Sequence, residues 1–127
     1  MLQFLLDEHI SPAVARGIVA RCEAIRVLAF RHWRAGSFLG TQDRYFLPEA
    51  FKEGLTLVSY DQRTIRPLLK EWAEQGVDHA GVVFVDAKTI VPQDVGGLIE
   101  ALYYLWQSER EANWTNRIVF LRRSATG

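Results

Sequence analysis

The chain has 127 residues, of which 49% are apolar and 12% aromatic, material for one core and too little length for two domains of typical size. Its 15 Lys and Arg balance its 15 Asp and Glu, which excludes a global field steering it toward nucleic acid or membrane. No apolar run approaches the roughly 20 residues of a membrane span, no secretory signal pattern opens the chain, and a lone Cys22 excludes a disulfide framework or thiolate metal site. The expectation is one globular domain spanning 1–127, cytoplasmic and without membrane association.

Apolar β-branched runs alternate with amphipathic stretches, the pattern of βα units around a mostly parallel five-stranded sheet. The first strand is LQFLL, followed by a helix from Pro12 to Cys22 that Ser11 caps, with Pro12 at its first position. IRVLA is the second strand. The segment from Phe30 to Thr41 follows neither period and carries two glycines, which marks a long loop. A second helix covers Gln42 to Glu53 and stops at Gly54, with Pro48 set to kink it. LTLVSY is the third strand, followed by a helix from Thr64 or Ile65 to Gln75 with Pro67 in its first turn. GVVFV is the fourth strand. The fourth helix follows Pro92 and Asp94 and runs to about Glu111, with Leu98, Ala101, Leu102 and Leu105 as its core stripe. RIVFL is the last strand.

In a parallel sheet the residues just past the strands' C-terminal ends gather along one edge, where ligands of open α/β folds bind. Asp7 and Glu8, then Asp61, then Asp86 follow strands one, three and four. Asp is a common turn former and helix cap, so one such residue says little. Several at one edge repel each other, an arrangement usually tolerated because a cation sits among them. An all-oxygen set suits Mg²⁺ or Mn²⁺ rather than zinc, and such ions work on phosphates. No Gly-rich phosphate loop, G-x-S-x-G elbow or dinucleotide fingerprint competes with this reading. His9 adjoins the acids and could contact substrate but reads rather as an ordinary loop residue; Trp33 could stack on a base or pack over the core edge, and His32, His79 and the other tryptophans read as structural or core-edge groups.

LLDEHISP resembles the opening motif of the short, single-domain PIN-like proteins, whose first strand ends in LLDE followed by Asn or His and a helix. QDRYFLPEAFKEGLTLVSYD is similar to their second block, through Asp43, Ala50, Gly54, Ser59 and Asp61, and HAGVVFV and NRIVFL resemble the later strands. The resemblance implies an α/β/α sandwich and a Mg²⁺- or Mn²⁺-dependent ribonuclease, including the possibility of a toxin paired with an antitoxin protein, and of a homodimer. It implies metal ligation by Asp7, Asp43 and Asp61, with Glu8 as an outer ligand and Ser59 as a phosphate or water contact. It favours Asp86 less, leaving it a turn residue. Arg31, Arg34 and Arg63 are the candidate phosphate contacts on RNA.

The chain departs from the family pattern after the third strand. SYDQRT has Arg63 and Thr64 where a second acid is common, and no match to the additional Glu of complete PIN nucleases is found. The alternative is therefore a non-catalytic PIN-like interaction module that keeps an idle acidic cluster. A phosphoacceptor receiver domain also has acids after strands one and three, but it calls for Lys after the fifth strand and Ser or Thr after the fourth, where this chain has Arg122 and Asp86.

Overall fold

In the computed structural model, which describes residues 1–123, five parallel strands alternate with four helices. In chain order they are β1 (Phe4–Leu6), α1 (Pro12–Arg21), β2 (Val27–Ala29), α2 (Asp43–Glu53), β3 (Thr56–Ser59), α3 (Gln62–Gln75), β4 (Val82–Val85), α4 (Val95–Glu109) and β5 (Ile118–Leu121). The sheet order is β2-β1-β3-β4-β5, with Leu6 in register with Ala29 on one side and Val58 on the other. No helix among the described residues is long and apolar enough to cross a membrane.

The central strands are buried on both faces, and their period of two sorts their side chains into two cores. Phe4, Leu6, Val58, Val83 and Val85 meet Val14 and Ile18 of α1 and Leu98, Leu102, Leu105 and Trp106 of α4. Leu5, Leu57, Val82 and Phe84 meet Phe46, Leu47 and Ala50 of α2 and Ile65, Leu68, Leu69 and Trp72 of α3. The result is a three-layer α/β/α sandwich.

The layers have a topological consequence. The chain steps from β1 to β2 in one direction and then from β2 through β3 and β4 to β5 in the other. Connections of one hand therefore place α1 on one face and α2 and α3 on the opposite face, as observed. The helix α4 lies on the α1 face, so β4–α4–β5 has the opposite hand to the other three connections. Among the described residues no helix covers β5 on the α2/α3 face, and there Ile118 and Phe120 stay 42% and 47% exposed.

The helix starts differ from expectation at α3, which begins at Gln62 because the Asp61 carboxylate caps it, accepting from the Thr64 N–H at 3.0 Å. Pro67 and Pro48 both lie inside their helices, past the first turn. The loop after β2 contains a turn at Trp33–Gly36 in which Arg34, Ala35 and Gly36 have φ of 50°, 56° and 78°.

Gly81, which leads into β4, has φ +92°, and a Cβ there would lie 2.7 Å from the Trp114 carbonyl oxygen. Gly81→Ala is expected to lower the stability to urea by about 2 kcal/mol or more with an unchanged m-value, because both backbone strain and a backbone clash oppose it. A midpoint equal to that of the parent chain would show that the loop yields freely.

Candidate functional site

The site forms where the strand order reverses, between β1 and β3, the place where open α/β sheets bind ligands. The Asp7 N–H donates to the Val58 carbonyl at 3.0 Å, so the residue leaves the sheet in fixed register with β3. Ser59, the last residue of β3, is fully buried. Its Oγ donates to Asp7 Oδ2 at 2.6 Å and accepts from the Asp61 N–H at 3.0 Å. One hydroxyl thus orients the first carboxylate and the turn that carries the third. With both of these bonds made and no exposure, Ser59 orients Asp7 and the turn at Asp61.

Asp43 opens α2, which crosses from β2 to β3 and so returns its first turn toward the ends of β1 and β3. Its carboxyl is pushed up from an ordinary 3.8 to about 6, first by burial and then by the charges of Asp7, Asp61 and Glu8, against the pull of a backbone N–H. These four acids share one neighbourhood. None has a Lys, Arg or His nitrogen within 4.0 Å among the described residues, although ion pairs are distributed elsewhere on the molecule.

As a donor set for a metal, the group offers only oxygen, which fits a hard divalent cation. Asp7 Oδ1 and Asp61 Oδ2 take no hydrogen bond among the described residues, so each residue keeps one oxygen for a ligand. No three His, Cys, Asp or Glu side chains among the described residues are already gathered into ligating positions. The acids are near enough to disfavour Asp43 ionisation but do not form a ready-made cage.

The other sequence candidates separate. Asp86 forms the turn after β4: its Oδ1 accepts from the Lys88 N–H at 3.0 Å and its carbonyl from the Ile90 N–H at 2.9 Å. Arg122 Nε lies 3.9 Å from Asp86 Oδ2, so the residues found where a receiver domain needs Lys and Ser or Thr face each other instead. Arg34 is engaged by Glu49 and Glu53, each at 2.8 Å, and its guanidinium lies over buried Trp33, whose Nε1 also donates to Glu53. Both acids lie further along α2 than Asp43, which places Arg34 against the helix flank and not at the carboxylates. Arg31 and Arg63 are exposed and have no carboxylate partner among the described residues. His9 is exposed; His79 is buried, accepts from the Gly81 N–H through Nδ1, and has its pKa lowered by that burial.

A shallow cleft of about 310 Å³ adjoins Asp61 and is lined by Tyr60, Gln62, Arg63, Val85, Asp86 and Lys88. Sequence reasoning missed the position of Lys88 beside it. The only signal was its place two residues after a strand-end Asp. The chain matches no family model, no curated protein and no solved structure.

Because the folded state holds the Asp43 proton more tightly than an unfolded chain does, this carboxyl favours folding at low pH. That contribution is lost as pH rises through about 6. Asp43→Asn is therefore expected to raise the Tm by a few degrees at pH 8 and to change it little at pH 4. A Tm difference independent of pH would show that Asp43 is not held among uncompensated carboxylates.

Proposed function

We propose that the chain is a divalent-metal-dependent ribonuclease that hydrolyses phosphodiester bonds at Asp7, Asp43 and Asp61, with Glu8 as an outer ligand. The observation that carries this reading is the convergence of four carboxylates, without a partner cation among the described residues, at the reversal point of a parallel sheet. Asp43 resists ionisation, first through burial and then through the charges of the other three, a repulsion that a bound cation would relieve. The motif resemblance to PIN-like proteins supports the same choice of chemistry. It extends the reading to a toxin held by an antitoxin protein.

A bound Mg²⁺ or Mn²⁺ supplies a more acidic water and neutralises charge developing on the phosphate. The chain's own residues do the rest. Ser59 holds the Asp7 carboxylate in one rotamer, and the Asp61 cap on α3 fixes the direction of its second oxygen. Asp43, easily protonated in the free protein, gives up that proton as positive charge arrives. Exposed Arg63, in the cleft beside Asp61, neutralises the phosphate flanking the bond to be cut, with Arg31 as the further cation after β2.

Purified protein is expected to cleave RNA with Mn²⁺, to stop in EDTA and to recover when Mn²⁺ is restored. Ser59→Ala is expected to lower the rate by about 10- to 100-fold while leaving every acid in place. Asp7→Asn is expected to lower it further. If no Mn²⁺-dependent cleavage is lost in Asp7→Asn, and calorimetry at millimolar Mn²⁺ shows no binding, the chain is a non-catalytic interaction module.

A further inference from the structure

The unmatched cations of α3 lie on one flank of the helix. Arg63, Arg66 and Lys70 follow the i, i+3, i+7 spacing of a single face, are all exposed, and have no carboxylate partner among the described residues. Their flank is fixed by two contacts. Glu71 reaches Arg44 of α2 on one side, while on the other the Arg66 guanidinium lies 5.7 Å over the Phe120 ring of β5. Arg66 therefore borders the part of the sheet that no helix covers among the described residues, where Phe120 stacks on Phe84 at 5.8 Å and remains 47% exposed beside Ile118, and Arg63 and Lys70 stand beside Arg66 on the exposed side of the helix. The row starts at Arg63 in the cleft next to Asp61 and descends about 10 Å along the helix.

We propose that this ledge, with Arg63, Arg66 and Lys70 as phosphate contacts and Phe120 as a base-stacking platform, is a binding track for single-stranded RNA continuous with the carboxylate site. The choice of RNA as the polyanion rests on the nuclease reading above. Cations in a line track a backbone, and the part of the Phe120 ring left exposed beside Phe84 and the Arg66 guanidinium offers a surface that an unpaired base can reach. Duplex RNA has its bases already stacked and gains nothing from Phe120. An acidic peptide would use the cations but would leave the ring without a planar partner.

The test is fluorescence anisotropy of a labelled, mixed-sequence RNA strand of about 12 nucleotides with the full chain in EDTA, where binding is read without cleavage. The wild-type chain is expected to prefer the single strand over a duplex of equal length. Arg63→Gln/Arg66→Gln/Lys70→Gln is expected to weaken binding at least about tenfold and to reduce the slope of log K against log salt by about 2, from roughly 0.7 per lost phosphate contact. Phe120→Leu is expected to weaken it about tenfold with the salt slope unchanged, and Phe120→Tyr to restore it. Arg16→Gln/Arg21→Gln/Lys52→Gln, the same charge change on other helices, serves as the control, and thermal melts confirm folding.

Binding unaltered in the triple variant, equal loss in the control variant, or equal displacement by polyglutamate and by single-stranded RNA would overturn the track. Cleavage with Mn²⁺ is scored separately. Wild type that binds along the ledge but never cleaves would sink the nuclease reading and support the track, and cleavage with variant-insensitive binding would do the reverse.

Discussion

The three-residue strand Phe4–Leu6 is hydrogen-bonded along both edges, and the site depends on that double pairing. Its register to Val27–Ala29 and to Thr56–Val58 sets the heights at which the chain leaves the sheet on either side. The Phe30 N–H donates to Leu6 and the Asp7 N–H to Val58, each at 3.0 Å, so the exits of β1, β2 and β3 are tied together. A slip of one residue would exchange the two cores and turn Asp7 away from Ser59. The carboxylate group is thus supported by packing: Leu5, Leu6, Leu57 and Val58 are all fully buried beneath it.

The last connection gives the molecule two unlike faces. Placing α4 beside α1 fills the side that holds Phe4, Leu6 and Val85. The opposite side has α2 and α3 over β1, β3 and β4, and β5 lies bare. An edge strand with exposed Ile118 and Phe120 invites association unless charge guards it. Here Arg66 over the Phe120 ring and Arg122 at the strand end supply that charge. The same arrangement presents cations and an aromatic ring together.

All five strands and four helices were legible in the sequence, because burial on both faces makes strands continuous apolar runs and the helix stripes follow their own period. Strand order was not legible, since alternation of βα units is compatible with many orders. The start of α3 was misplaced because proline is favoured in a first turn, whereas Asp61 caps the helix earlier and Pro67 is accommodated inside it. The candidate acids Asp7 and Asp61 followed from strand ends, but Asp43 needed the motif resemblance, because it opens a helix. Ser59 was found as a candidate phosphate or water contact; its burial and its two hydrogen bonds add that it orients Asp7 and the turn at Asp61. Arg34 looked like a free cation because Glu49 and Glu53 lie 15 and 19 residues away in the chain. Arg63 was singled out in the sequence but Arg66 and Lys70 were not, because what sets them apart is the exposed Phe120 of β5 beside Arg66.

The packing of α4 on α1 also orders the events of synthesis. The Leu2 N–H donates to the Arg110 carbonyl, the Trp106 indole N–H donates to the Leu2 carbonyl, and Val14 and Ile18 share their core with Leu98, Leu102 and Leu105. A chain emerging from the ribosome can pair β1, β2 and β3 and seat α2 and α3, yet one face of that sheet has only α1 until residues beyond 95 have been made. The sheet of β1, β2 and β3 therefore keeps one half-covered apolar face until α4 packs on it. Contacts between segments about a hundred residues apart close that face, and such long-range contacts slow folding.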